Sequence, residues 1–163
     1  MASGDDRAVR PLGLDGTGLR IGLVKARWNS EIVDRLEAGV DRGLLHLGVP
    51  ASDIVVETVP GSFEIPMACS ILARSGEVDA IITLGAVIRG ETTHYELVSE
   101  GAANGVQQVQ LDTGVPIAFG LVTVENTEQA LARSEGPGGH NVGEEAALVA
   151  VEMARLAQKH RAC

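Results

Sequence analysis

Aromatic side chains are nearly absent from these 163 residues: Trp28, Phe63, Tyr95 and Phe119 are the whole set. The core must therefore be aliphatic, built from Val, Ile, Leu and Ala. Positive charge is also scarce. Thirteen Lys and Arg stand against 22 Asp and Glu, a net charge of -9, which excludes a broad electrostatic grip on nucleic acid or an anionic membrane surface. Any anionic ligand must be held locally. Of the two cysteines, Cys69 falls in a predicted helix and Cys163 is the last residue, so neither metal-ligand spacing nor a disulfide framework is present. A basic start and apolar centre like those of a secretory signal are missing around Asp5, Asp6 and Pro11, and no apolar run reaches transmembrane length. The expectation is a soluble protein of the reducing cytoplasm. Nucleophile-elbow, Walker, dinucleotide-fingerprint and zinc motifs are lacking too, which leaves proton transfer and positioning as the available chemistry.

What is there alternates strand and helix. Residues 1–17 have no periodicity and read as a flexible arm without core; residues 18–163 read as one domain. Leu19, Ile21, Leu23 and Val24 make a short strand that ends at Arg27–Ser30. Ile32 or Val33, Leu36, Val40, Leu44 and Leu47 then recur at helical spacing until Gly48 and Pro50. Ile54–Val56 form a second strand, and the loop Pro60–Glu64 leads into a helix with Pro66 in its first turn and Ile65, Ala68, Cys69 and Leu72 on its buried face. Ala80–Ile88 is a nearly continuous apolar run, the mark of a strand buried on both faces. Gly90 breaks it, and Thr93 with Glu96 has the spacing of a capping box, so a third helix starts near His94 and runs to Gly114. Its small residues Gly101, Ala103 and Gly105 suit close approach by another helix, for instance at an oligomer interface. A fourth strand at Ile117–Val124, a short helix capped by Asn126 with Gln129 as reciprocal partner, a glycine-rich loop and a last helix from about Gly143 complete the chain. Four β-α units with right-handed crossovers predict an α/β fold with a four-stranded parallel sheet and helices on both faces, ligands binding beyond the strands' C-terminal ends.

The loops at those ends carry the chemistry. Gly90, Glu91 and Thr92 precede a helix whose first N–H groups suit a phosphate, with His94 alongside as a proton carrier; the bland alternative is a capped helix with a solvated histidine. Trp28 and Asn29 offer a stacking wall and an amide for a planar heterocycle, or a core tryptophan over a helix end. Ser62, Phe63 and Glu64 offer a hydroxyl, an apolar face and a carboxylate for a polyol, or merely a helix cap. Arg133 is either a phosphate ligand or a solvated surface residue. His46, His140 and His160 lack metal-site spacing.

RWNSEIVD from Arg27, VPGSFEIP from Val59, DAIITLGAVIRGETTHYELV from Asp79, TGVPIAFGLVTVENTEQA from Thr113 and VEMA from Val151 together closely resemble the lumazine synthase family, over about Gly18 to Leu156. The resemblance implies a flavodoxin-like three-layer sandwich that assembles as homopentamers; a decamer or a 60-subunit icosahedral shell remains open. It implies a transferase of riboflavin biosynthesis that condenses 5-amino-6-ribitylaminouracil with 3,4-dihydroxy-2-butanone 4-phosphate to 6,7-dimethyl-8-ribityllumazine, releasing phosphate and water, with neither metal nor organic cofactor. By matching position, Trp28 stacks on the pyrimidine with Asn29 nearby, Ser62, Phe63 and Glu64 hold the ribityl chain, and Ala86, Val87 and Ile88 contact the ring. Gly90, Glu91 and Thr92 line the phosphate end, His94 carries protons, and Phe119 and Arg133 come from the neighbouring subunit, Arg133 onto the phosphate. One position departs: many members carry a lysine after the asparagine that opens the last helix, and here Val142 follows Asn141, with His140 as a conceivable substitute. The Gly136–Gly139 segment is slightly longer than in many shell-forming members, a mild argument for a free pentamer. Two alternatives stand beside this reading: a catalytically weak flavin- or lumazine-binding or shell-forming homologue, and a riboflavin synthase of the archaeal type. The latter has no phosphate to bind.

Overall fold

The computed structural model describes residues 11–161. Four parallel strands, β1 (Ile21–Ala26), β2 (Ile54–Val59), β3 (Ala80–Ile88) and β4 (Ile117–Val124), lie in the order β2-β1-β3-β4. β3 is buried along nearly its whole length, as its unbroken apolar run requires. β2 extends three residues further than its apolar core, through Glu57 and Thr58, because it is an outer strand whose polar residues reach water.

Helices α1 (Ser30–His46) and α5 (Val142–His160) cover one face of the sheet; α2 (Ile65–Arg74) and α3 (His94–Thr113) cover the other, and the short α4 (Thr127–Ala132) follows β4. The expected α/β architecture with helices on both faces is thus observed. On the first face Ile21, Leu23, Ile82 and Leu84 meet Val33, Leu36, Val40, Ala147 and Val151. On the second, Val24 and Ile81 meet Ile65, Cys69, Leu72, Ala102 and Val106. Burying each such Val, Leu or Ile side chain contributes about 1.5–3 kcal/mol relative to leaving it exposed. α1 and α5 cross closely: a Cβ on Gly143 would stand 2.1 Å from the Leu36 carbonyl oxygen, and one on Gly39 would stand 2.1 Å from Asn141 Oδ1. Asn141 is buried there, its amide donating to the carbonyls of Arg35 (3.1 Å) and Glu135 (2.9 Å) while its Oδ1 accepts from Glu144 N–H (3.1 Å). One side chain therefore caps α5, ties it to α1 and closes the glycine-rich loop.

Three sequence expectations change. Of the arm, residues 1–10 lie outside the described part, but Leu14 packs against the core. Gly16 N–H donates to Leu47 O (2.7 Å), and the guanidinium of Arg155 on α5 donates to the carbonyls of Asp15 (2.8 Å) and Thr17 (2.7 Å). Two donors from Arg155 and one acceptor at Leu47, all in folded elements or at their ends, order what lacks periodicity. The small residues of α3 do admit another helix closely, as expected, and it is this chain's own α2 with the turn before it: Cβ atoms on Gly101 and Gly105 would stand 2.8 Å from the Phe63 ring and 2.7 Å from Pro66. The Thr93–Glu96 capping box does not form: Thr93 makes no side-chain cap, and the Glu96 carboxylate is taken by Arg89. Asn126 does cap α4, accepting from Gln129 N–H (2.9 Å), while Gln129 returns its oxygen to Glu125 N–H (2.8 Å) rather than to Asn126. Among the described residues no helix is long and apolar enough to cross a membrane.

Candidate active site

Strand order reverses between β1 and β3, so the connections that leave their C-terminal ends run to opposite faces of the sheet, α1 on one and α3 on the other, and a crevice opens between them. A cleft of about 580 Å³ opens there, lined by Trp28, Asn29, Pro60–Glu64, Ala86–Ile88, His94, Leu97 and Val98. Its floor is the end of β3.

The β1 side is set by hydrogen bonds that continue past the strand. Arg27 N–H donates to Val59 O (2.8 Å) and Trp28 N–H to Pro60 O (3.2 Å), which draws the tryptophan beside the Pro60–Glu64 loop. Trp28 is 74% exposed, so it is not a core residue; its indole faces the cleft with room for a ring. Asn29 takes the left-handed conformation (φ 59°, ψ 47°), and its amide donates to Ala86 O at 2.8 Å. Asparagine tolerates this backbone better than other non-glycine residues. That bond spends one amide hydrogen on the fold and joins the tryptophan wall to the floor.

In the Pro60–Glu64 loop, Glu64 Oε2 accepts from Gly61 N–H (3.1 Å) and holds a single 3₁₀ turn over Ser62–Glu64. Ser62 is buried against Gly85, whose missing side chain makes space for its hydroxyl; an added Cβ would lie 2.5 Å from Ser62 Oγ. Phe63 stays 61% exposed above the cleft, with Gly101 beneath its ring. The cap reading of this loop is thus partly right, and Phe63 and one Glu64 oxygen remain free for a ligand.

The third wall is the start of α3. His94 is its first residue, exposed at the cleft, its N–H 3.3 Å from Thr92 Oγ1. Leu97 lies three residues on and so on the same side of the helix; spacing from His94 was the signal for it in the sequence. Gly90, Glu91 and Thr92 form an exposed turn at the rim and do not line the cleft. Nor do Phe119 and Arg133. Phe119 sits 41% exposed on outer strand β4, and Arg133 follows α4 with its Nη1 donating to Gln129 O (3.0 Å). Val142 packs partly buried against the core at the start of α5, and His140 Nε2 lies 3.2 Å from Glu145 Oε1, neither of them in the cleft.

The rim carries a residue that sequence reasoning passed over. Arg89 donates from Nε to Glu125 Oε2 (2.7 Å) and from Nη1 to Glu96 Oε1, with its guanidinium 4.3 Å from the Tyr95 ring centroid. Hydrogen bonding from Arg89 holds the Glu96 carboxyl below its usual range, and the two carboxylates raise the Arg89 pKa in turn. Cys69 is no nucleophile, for burial pushes its thiol up to about 12. Among the described residues no three His, Cys, Asp or Glu side chains gather as a metal site would need.

The sequence profile of the 6,7-dimethyl-8-ribityllumazine synthase family matches residues 18–158. Proteins named 6,7-dimethyl-8-ribityllumazine synthase from Paraburkholderia phymatum, Paraburkholderia phytofirmans and Paraburkholderia xenovorans are each 49% identical over 144 residues. These alignments cover 88% of this chain and 81%, 83% and 83% of the respective relatives.

Proposed function

The chain belongs to the 6,7-dimethyl-8-ribityllumazine synthase family, a transferase of riboflavin biosynthesis acting on small molecules, and from that premise we propose that the cleft between β1, β3 and α3 is where its two substrates condense. The reaction joins 5-amino-6-ribitylaminouracil to 3,4-dihydroxy-2-butanone 4-phosphate and releases phosphate and water. The observation that carries the siting is the convergence of Trp28, Phe63, Ala86–Ile88 and His94 on one crevice at the switch in strand order.

Trp28 stacks on the pyrimidine, with Asn29 beside it and the Ala86–Ile88 backbone along its edge. Ser62, Phe63 and Glu64 hold the ribityl chain. Gly90, Glu91 and Thr92 receive the phosphate at the start of α3, where unpaired N–H groups and the positive end of the helix dipole favour an anion. The uracil amine attacks the ketone, the carbinolamine loses water to an imine, phosphate is eliminated, and ring closure expels a second water. Each step moves a proton, and His94, between the cleft and the turn, serves as base and then acid. Holding both substrates together supplies the rest of the acceleration.

Phe119 and Arg133 reach this site from a neighbouring subunit of a homopentamer in the cytoplasm. Their distance from the cleft of their own chain fits that reading, as do the apolar side chains left exposed on α2 and α3, namely Met67, Ile71, Leu97 and Leu111. Rapid mixing of the protein with both substrates, following lumazine absorbance and phosphate release above the protein-free background, tests the assignment. Both signals rise in step for the wild type, and His94→Ala slows them by roughly ten- to a hundredfold, at or below the low end for general acid–base groups because amine and ketone also condense unaided. An unchanged rate in His94→Ala removes the histidine from the mechanism.

A further inference from the structure

The turn that precedes His94 has little of its own to hold it. Thr93 makes no side-chain cap, and the one side-chain bond within the turn is the 3.3 Å contact from His94 N–H to Thr92 Oγ1. Two carboxylates, Glu96 and Glu125, flank it, and Glu91 lies within it. Left alone, such a turn would be loose and electronegative where a phosphate has to sit.

Arg89 answers both problems from one position. Its N–H donates to Val124 O (2.8 Å), extending the β3–β4 ladder one residue past β3, so its backbone belongs to the rigid sheet. Its side chain then reaches across the turn in two directions: to Glu125, in the β4–α4 loop, and to Glu96, in the first turn of α3, with Tyr95 stacked against the guanidinium. Residues 95 and 96 follow His94 directly, so fixing them fixes the imidazole's helix. The second Glu96 oxygen is buried without a partner from another residue among the described ones, so the Arg89 bond is the main one that keeps this carboxylate in place. A lysine could not span both carboxylates while stacking on a ring; the planar fork of arginine can.

The geometry points to Arg89 as a positioning residue that holds the Gly90–Thr93 turn and the His94 end of α3 in register with β3 while drawing the two flanking carboxylates onto itself and offsetting part of their charge, so that the turn accepts the phosphate of the second substrate. Arg89 touches no substrate and acts through the turn. The inference rests on the proposed siting of phosphate at Gly90–Thr92.

The test compares wild type, Arg89→Met and Glu125→Gln by the KM for each substrate and by the slowing of hydrogen exchange across residues 89–97 when inorganic phosphate is added. Arg89→Met raises the KM for the butanone phosphate about tenfold or more, leaves the KM for the aminouracil within about twofold, and abolishes the slowing by phosphate, since small misplacements of a positioned group are costly. Glu125→Gln weakens one arm at an exposed loop residue, because its neutral amide oxygen accepts from Arg89 without the charge, and raises the same KM by roughly threefold. Equal slowing by phosphate in wild type and Arg89→Met, or KM values that move together or not at all, overturns the positioning role. Absence of slowing in the wild type instead removes phosphate from the turn, and the role of Arg89 falls with it. Should Arg89→Met not fold, Glu125→Gln decides: a selective rise supports the clamp and an unchanged KM overturns it.

Discussion

Helices α1 and α3 each follow a central strand and are of similar length, 17 and 20 residues, yet they bury very different surfaces. α1 buries Ile32, Val33, Leu36, Gly39, Val40, Gly43 and Leu44; α3 buries Ala102 and Val106. The first packs against both the sheet and the neighbouring α5 and belongs to the core. The second lies lightly on the other face, presents His94 at its first turn and leaves Leu97 and Leu111 in the open. The proposed siting places chemistry on a helix that contributes little to the core, because side chains committed to a core cannot also meet a substrate.

The contrast can be broken most directly on the packed side. Leu36 is fully buried, so Leu36→Ala costs about 2–5 kcal/mol in urea or thermal unfolding. A loss below about 1 kcal/mol would mean that the α1 face is no tighter than that of α3. Gly143→Ala comes next, at about 1–3 kcal/mol, since the new methyl meets the rigid Leu36 carbonyl. The same change on α3 sharpens the comparison. Gly101→Ala presses only on the exposed Phe63 ring, which can swing away, so unfolding shifts by about 0.5 kcal/mol or less while the KM for the aminouracil rises. Comparable stability losses at positions 101 and 143 would erase the distinction.

The smallest effect is acid loosening of the Arg89 clamp. The Glu96 pKa is lowered in the folded protein, so the bond contributes fully above the ordinary glutamate value and is lost as pH falls through the lowered folded value. Tyr95 is the sole tyrosine and lies against Arg89, so its near-ultraviolet circular dichroism reports the change. A signal lost at neutral pH would contradict the sign.

The strands, the helices and most of the cleft were legible in the sequence because periodicity and turn residues are local signals, and β-α order fixes which loops meet. Trp28, Phe63 and His94 fell at strand and helix ends, and those ends converge. What stayed hidden depends on partners far along the chain. Asn141 looked like a helix start and is also a buried hub between α1 and α5, because its carbonyl partners at Arg35 and Glu135 lie in different elements. Glu96 has capping spacing, but an arginine seven residues earlier competes for its carboxylate and wins as a charged donor. The docking of Leu14–Thr17 follows from Arg155, which no pattern near residue 15 announces.

The central claim is that the α3 side of one chain is completed by another copy, and complementation tests it most directly. Trp28→Ala and Arg133→Ala proteins, each impaired alone, are unfolded together, refolded and assayed for lumazine formation. A site shared between neighbours in a ring regains roughly a quarter of wild-type activity, since one interface in four pairs an intact Trp28 with an intact Arg133. Activity no higher than the mean of the two parents would place the whole site within one chain.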